Sequence, residues 1–513
     1  MLKAIKACFT KTNGLSFFAG LALVFAYAPY SFWWLTLLIM PAWFFLIEEL
    51  SVKKASQACF SFGLGWFIAG ISWVHVSIDE FGGMPLPVSL LLMFLLCAYL
   101  ALYPMLAGYL ASRFTQDKKL HLGMLISTWL LCEYLRSVVL TGFPWLSLGY
   151  SQIDSPLASL APVIGETGIT AFILLLSLTF VKLTKLRYRL PWALTLILLS
   201  GFMLFCSSQQ WTKPSEKQVK VALAQGNIEQ SIKWDDEQEW PTMLMYLDMA
   251  RANYDADIIV WPESAIPTLE PMAQDYLDLV NQSAGMNNSA IITGILDYNF
   301  ETKSYYNALI TLGNSQANDR TIGDYVYGHS NRFYKHHLLP IGEFVPFGDL
   351  LRPLAPFFNL PMSSFSRGDY VQQNMIAKGI HILPLICFEI AFPNQLAANF
   401  TPQTQMLLTV SNDAWFGTSH GPHQHMEIAR MRAIEFGRPL IRSTNTGVTA
   451  AIDHQGQFID KLPQFEQAVL KADITLVEGL TPYSQFNDWP IRILALLGFI
   501  GFYLRQRATY PKS

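Results

Sequence analysis

Eight apolar segments constrain this chain most, because the loops between them carry basic residues only in every other gap. They run Leu15–Ala28, Trp33–Ile47, Ala58–Val76, Pro87–Ala111, Leu122–Leu140, Gly168–Val181, Leu190–Cys206 and Pro490–Leu504. Each approaches the roughly 20 residues that cross a bilayer as a helix, allowing for polar ends and tilt. Lys53 and Lys54, then Arg113, Lys118 and Lys119, then Lys182, Lys185, Arg187 and Arg189 occupy alternate loops. The intervening loops 29–32, 77–86 and 141–166 contain no Lys or Arg. By the positive-inside rule the basic loops and both termini face the cytoplasm, and the long stretch between Ser207 and Asp488 lies outside. Arg492, just inside the last segment, is long enough to snorkel to the interface. Hydrophobic residues at 52% and charged residues at 14% agree, since a soluble chain carries about 25% charge. A net charge of −3 gives no basis for nucleic-acid binding.

The first segment follows Lys3, Lys6 and Lys11, and Ala26-Tyr27-Ala28 imitates a signal-peptide cleavage site. Pro29 directly after it hinders cleavage and more apolar segments follow, so an uncleaved first helix is the expectation.

The outer stretch changes character. In Gln218–Gln225, Val219, Val221 and Leu223 alternate with polar or small residues, the period of a half-buried strand. Gly226-Asn227 ends it. Strand-like runs then follow at Ile258–Trp261, Ala290–Leu296, Ala308–Leu312, Ile382–Phe388 and Met406–Ser411, with Gly313-Asn314 as a turn after the third. Helix-like stretches separate them, which reads as an α/β domain. The expected division is 1–211 helical, 218–480 α/β, and 488–505 a final helix.

Three positions in that domain carry chemistry. Cys387 ends a buried run, Glu263 follows a strand in Trp261-Pro262-Glu263, and Lys335 sits in Asn331–Lys335. A carboxylate to take a proton, an ammonium to stabilise negative charge and a thiol to attack make an activated-nucleophile site. Read one at a time they are ordinary: a core cysteine, a loop glutamate, a surface lysine beside Arg332. Of six cysteines, Cys8, Cys59, Cys97, Cys132 and Cys206 lie in or beside apolar segments, leaving Cys387 alone in the polar half. No disulfide framework is expected.

The three blocks, in this order and at these separations, resemble the Glu-Lys-Cys triad of the nitrilase (carbon–nitrogen hydrolase) superfamily. Ser411–Gly417, Gly421–His425 and Arg438–Arg442, together with the apolar segments, narrow the resemblance over the whole chain to the apolipoprotein N-acyltransferases of Gram-negative bacteria. The resemblance implies a membrane helical bundle plus an αββα sandwich. It also implies a triad of Glu263 as base, Lys335 as oxyanion cation and Cys387 as nucleophile. The backbone N–H of Phe388 is the implied second oxyanion donor. Glu343 is implied to orient Lys335, and Glu389 to hold the cysteine turn; a structural surface pairing stands as the alternative for each. Phe388 replaces the tyrosine common in the wider superfamily, which removes a hydroxyl from any proton-transfer role.

The implied reaction moves an acyl chain from a membrane phospholipid, through a cysteine thioester, to the α-amine of a lipoprotein's diacylglyceryl-cysteine. It needs no cofactor and no metal. The expected location is the inner membrane with the α/β domain in the periplasm. A membrane-tethered amidase that passes the acyl group to water is the competing enzyme reading, and a receptor built on an inactive nitrilase fold is the non-enzymatic one. Trp234, Trp145, Arg136 and Trp415 are expected to shape substrate or lipid access. Packing on the domain is the first reading of Trp234, with lipid contact the alternative, and an ion pair with Glu133 explains Arg136 equally. The apolar, proline-rich stretch Leu350–Phe365 reads either as a loop packed on the domain or as a flap touching the membrane surface. His420, His423 and His425 read either as metal ligands or, better, as hydrogen-bonding groups at a helix start.

Overall fold

The computed structural model describes residues 11–313, 325–340, 342–344 and 365–509. The chain divides into two compact units. The first holds the residues up to His75, Pro85–Gln210 and the chain from Phe486 on; the second holds Val76–Met84 and Trp211–Gln485. Val76–Met84 thus joins the second unit although it lies between two apolar segments in sequence.

In the first unit every apolar segment contains a helix: α1 (Lys11–Leu23), α2 (Trp34–Ile47), α3 (Val52–Gly70), α4 (Leu86–Arg113), α5 (Leu122–Val138), α6 (Ala161–Leu183), α7 (Arg189–Ser208) and, last in the chain, Trp489–Thr509. Among the described residues four helical stretches are long and apolar enough to cross a membrane, and a fifth if α3 and Val74–Phe81, bent by 59°, count as one span. The helices around α1 and α2 are shorter. Apolar side chains point outward on α7, where Leu190 is 79% and Leu198 69% exposed, as expected where the solvent is lipid. Helix contact without a hydrophobic drive relies on small residues that let backbones approach. Gly20 and Gly65 do this reciprocally: a Cβ on Gly20 would stand 2.0 Å from the Phe62 carbonyl oxygen, and one on Gly65 2.1 Å from that of Phe17. Around this crossing Trp43 stacks on Phe62 at 4.1 Å, Trp66 on Trp129 at 6.3 Å, and Trp43 Nε1 donates to Ser16 Oγ at 3.1 Å.

The second unit is built on two sheets. One runs β13-β1-β2-β4-β5-β6, with β3 also paired to β4; its strands are β1 (Thr212–Gln225), β2 (Ile258–Val260), β3 (Ile266–Leu269), β4 (Ala290–Asn299), β5 (Ser304–Leu312), β6 (Arg332–Tyr334) and β13 (Ala468–Gly479). The other runs β12-β11-β10-β9-β8-β7, from β7 (Met375–Ala377), β8 (Ile380–Ile386), β9 (Met406–Ser411), β10 (Leu440–Thr444), β11 (Ala450–Ile452) and β12 (Phe458–Lys461). The alternation in β1 sorts its two faces. Val219, Val221 and Leu223 join Ile382, Leu408 and Ile441 in the core between the sheets, while Ala222 and Ala224 face α8 (Asp236–Arg251) and α9 (Gln274–Met286) through Leu247 and Leu277. Each such fully buried aliphatic side chain stabilises the sandwich by roughly 1.5–3 kcal/mol. Acidic residues Asp236, Glu237 and Glu239 in the first turn of α8 and Arg251 in its last complement the helix dipole. On the far side, α10 (Gly421–Phe436) starts at Pro422 and stops at Gly437, whose left-handed φ of +59° ends a helix at no steric cost. The αββα order of layers follows.

One strand is shorter than the sequence pattern suggests. The run Ile382–Phe388 leaves the sheet after Ile386, and Cys387–Ala391 turns into a 3₁₀ helix because Cys387 adopts φ +53°. Of the Leu350–Phe365 stretch only Phe365 is among the described residues, so both readings of it fall outside them, as does Asn314 of the Gly313-Asn314 turn.

Candidate active site

The residues with chemistry gather at the carboxyl ends of strands. Glu263 follows β2, Lys335 follows β6, Cys387 follows β8 and Asn412 follows β9. β1, β2 and β4 are parallel in one sheet and β8, β9 and β10 in the other, so the carboxyl ends collect where open α/β sheets bind ligands.

Glu263 is fixed from every side. Its Oε1 accepts from Lys335 Nζ at 3.1 Å and from Asn307 Nδ2 at 2.8 Å, and its Oε2 accepts from the Asn412 N–H at 3.0 Å. The turn that carries it lies flat on β4 because position 294 is glycine: a Cβ there would stand 2.4 Å from Ser264 N and 2.6 Å from Pro262 O. Lys335, 2% exposed, also donates to Glu343 Oε1 at 2.8 Å, and Glu343 Oε2 accepts the Leu339 N–H at 2.8 Å. Arg332, the other cation of this segment, is taken by Glu270 at 3.0 Å.

Cys387 keeps some exposed surface. Its left-handed φ costs of order 1–3 kcal/mol for a residue with a Cβ, so surrounding contacts must hold the turn. Glu389, fully buried, is one of them. Its Oε1 accepts from the N–H groups of His336 at 2.8 Å and His337 at 3.1 Å and from Gln395 Nε2 at 2.7 Å, and its Oε2 accepts from the Ile386 N–H at 2.9 Å. The cysteine turn is thereby tied to the two residues that follow Lys335. The Phe388 ring packs edge-on against Phe392 at 5.0 Å and His337 at 5.9 Å.

A carboxylate that takes a proton near neutral pH needs a raised pKa, and burial alone would raise that of Glu263. Burial does push it up, but Lys335 and the Asn307 amide outweigh this and hold the carboxyl below its ordinary value. Burial also opposes the charge on Lys335, yet Glu263, Glu343 and Cys387 keep that ammonium well above the lysine range. Burial, helped by the charge of Glu263, pushes the Cys387 thiol up, with Lys335 pulling the other way. The resting site is a carboxylate, an ammonium and a neutral thiol. In this arrangement proton transfer from sulfur to Glu263 is unfavourable by itself.

Sequence reasoning missed three members of this site. Asn307 is a polar residue inside β5 with no motif around it. Asn412 acts through its backbone. Lys233 was passed over for its neighbour Trp234, yet Lys233 is the buried one, at 2% exposure. Its Nζ donates to the Glu263 carbonyl at 3.2 Å and lies 5.7 Å from the Trp234 ring; burial lowers its pKa to about 8 against the pull of Glu263. Trp234 is partly exposed beside it. Trp415 is also partly exposed and meets the Phe81 ring at 5.4 Å, while Ser77 Oγ donates to its carbonyl at 2.6 Å.

Arg136 and Trp145 belong to the helical unit. Both are buried; Arg136 pairs with Glu133 and donates from Nη1 to the carbonyls of Phe143 at 2.6 Å and Trp145 at 2.7 Å. Arg136 therefore organises the 143–145 loop.

Comparison with known proteins agrees in both halves. Residues 19–179 match the apolipoprotein N-acyltransferase N-terminal domain, and residues 220–479 match the carbon-nitrogen hydrolase family. The apolipoprotein N-acyltransferase of Photobacterium profundum is 50% identical over 481 residues, 93% of this chain and 92% of that one. Those of Shewanella oneidensis (49% over 500 residues, 96% of each chain) and Vibrio cholerae (48% over 497 residues, 96% and 97%) are similarly close. A solved nitrilase-superfamily structure from Saccharomyces cerevisiae overlays with a TM-score of 0.37 at 15% identity, covering 52% of this chain and 93% of that one. With both family matches and relatives near half-identical over almost their whole length, the chain belongs to the apolipoprotein N-acyltransferase family.

Proposed function

We propose that this membrane protein N-acylates lipoproteins, carrying an acyl chain from a phospholipid to the α-amine of diacylglyceryl-cysteine through a thioester on Cys387. The observation that carries the chemistry is the buried Glu263–Lys335–Glu343 cluster beside a neutral thiol. In the first half-reaction the sulfur bonds to the ester carbonyl carbon as its proton passes to Glu263. Lys335 and the Phe388 N–H receive the developing oxyanion. Collapse breaks the carbon–oxygen bond, and the proton on Glu263 leaves with the lysophospholipid. In the second, the amine attacks the thioester carbonyl and gives a proton to Glu263. The carbon–sulfur bond then breaks and that proton returns to sulfur.

Both substrates are anchored in lipid, which accounts for an acyltransfer domain joined to a helical bundle. The alternate placement of Lys and Arg supports cytoplasmic termini, an inner-membrane location and a periplasmic second unit. Trp234 and Trp415, both partly exposed, are the aromatic residues of that unit that we assign to the acyl chain. The amidase alternative sends the acyl group to water, and relatives 48–50% identical over almost the whole chain, named for N-acyl transfer, weigh against it. Incubation with phospholipid, with and without a diacylglyceryl lipopeptide, tests the choice. Release of lysophospholipid should turn over only with the lipopeptide; equal turnover in water alone would favour the amidase.

A further inference from the structure

We propose that Asp413, Arg442, His425 and Ser411 form a buried clamp that positions Cys387, with His425 gripping its backbone carbonyl and the other three holding His425. The proposal rests on Cys387 being the nucleophile, yet none of these four residues enters the proton transfers described above.

The clamp is built around a buried ion pair. Arg442 Nη2 donates to Asp413 Oδ2 at 2.8 Å, and neither side chain is exposed. Glycine at position 447 leaves room for the carboxylate, since a Cβ there would stand 2.1 Å from Asp413 Oδ2. Asp413 Oδ1 accepts from Ser411 Oγ at 2.6 Å, which commits the one proton of that hydroxyl to the carboxylate. His425, 1% exposed, sits on α10 with Nε2 3.1 Å from the Cys387 carbonyl oxygen. A carbonyl only accepts, so Nε2 carries a proton.

The other ring nitrogen has two neighbours that ask for opposite states. Arg442 Nη2, 2.9 Å away, can only donate, which requires a bare Nδ1; Asp413 Oδ1, at 3.2 Å, would favour a protonated one. The arginine is nearer, and Asp413 Oδ1 is already served by Ser411. Burial and the charge of Arg442 further disfavour an imidazolium. His425 is therefore neutral with its proton on Nε2, a fixed donor to the nucleophile's carbonyl.

The same turn reaches the base. Asn412, between Ser411 and Asp413, donates its N–H to Glu263 Oε2 at 3.0 Å. The three residues Ser411–Asp413 at the end of β9 thus touch Glu263 directly and the cysteine turn through His425. Cys387 needs such an outside hold because its φ of +53° is not one its own side chain favours.

The test compares His425→Phe, which fills the ring space with no donor, with His425→Gln, whose amide N–H can reach the Cys387 carbonyl. Thioester formation from phosphatidylethanolamine in detergent micelles, without acceptor, is followed by mass spectrometry across phospholipid concentrations. His425→Phe should slow maximal acylation by roughly a hundredfold, the scale of a misplaced reacting group, with the phospholipid half-saturation unchanged. His425→Gln should recover at least tenfold of that loss. A Phe variant within threefold of wild type, or two variants equally slow, overturns the clamp. Nitrogen-15 spectra of histidine-labelled wild-type protein give a reading that needs no folded Phe variant. They should show His425 as the neutral Nε2–H tautomer at pH 7, and an Nδ1–H or imidazolium signal overturns the proposal. Cys387→Ala is run alongside: if it still acylates lipopeptide at the wild-type rate, the nucleophile reading fails on its own, whatever the histidine results.

Discussion

Replacing Glu389 by Gln preserves shape and removes one charge, which isolates what this buried carboxylate contributes. It accepts four N–H bonds, three on Oε1 and one on Oε2. A glutamine has one acceptor oxygen. Placed at Oε1 it keeps three partners, but its NH₂ then points at the Ile386 N–H and leaves a buried donor facing a donor. That mismatch costs about 1–3 kcal/mol, and each retained bond weakens by about 1 kcal/mol when its acceptor loses its charge. Removing a fully buried charge offsets the weakening of the retained bonds, because burial outweighs those bonds and leaves the Glu389 pKa above its ordinary value. The mismatch at Ile386 remains as a net loss of about 1–3 kcal/mol, which lowers the unfolding temperature of a domain this size by roughly 3–12 °C. The lost bond is the one to Ile386, next to Cys387, so on the proposed mechanism thioester formation should slow by roughly a hundredfold as well. Thermal unfolding in detergent and acyl-enzyme formation measured below the transition check both. An unfolding temperature within 2 °C of wild type, with acylation within threefold, would refute the reasoning.

Three further outcomes are expected. Lys233→Met removes a cation that helps hold Glu263 deprotonated, so the acid limb of the acylation pH profile should move to higher pH; an unmoved limb would remove Lys233 from the site's electrostatics. Asp413 is pushed up by burial but held far below its ordinary 3.8 by the charge of Arg442, with help from the Ser411 hydroxyl, so its contribution to stability is full above pH 3.8 and is lost as pH falls towards its folded pKa. Asp413→Asn should therefore flatten the acid side of the stability curve while costing about 3–5 kcal/mol near neutrality, because Arg442 is left buried and unpaired; acid titration of unfolding at fixed temperature reads both. In the helical unit, Gly20→Ala drives a methyl into the α3 backbone and should cost about 1–3 kcal/mol in detergent thermostability, whereas Gly14→Ala, with nothing within 4 Å, should be tolerated.

Much of this was legible in the sequence for identifiable reasons. The faces of β1 follow from its period of two, and the helices coincide with the apolar runs because hydrophobicity there is all-round. Glu263 and Cys387 stand out because each closes a strand-like run, and Lys335 because it sits in a recognisable block; the structure brings Glu263 and Lys335 into contact. What escaped notice depends on long-range contact. Asn307 is 44 residues from the carboxylate it donates to. Nothing local marks Lys233 as buried, and the aromatic ring beside it drew attention instead. The direction of the Glu263 shift depends on donors from β5 and β6 that no neighbouring residue announces. The early end of β8 follows from the left-handed turn at Cys387, whereas the residue pattern continues as though the strand did.

The central claim is that sulfur carries the acyl chain between two lipids. Purified protein given phosphatidylethanolamine and no amine acceptor should gain the mass of one acyl chain on the peptide containing Cys387. Neutral hydroxylamine should remove it, and diacylglyceryl lipopeptide should discharge it as an amide. Full transfer to lipopeptide by Cys387→Ala at the wild-type rate, with no adduct on the native protein, would contradict the account and make the cysteine structural.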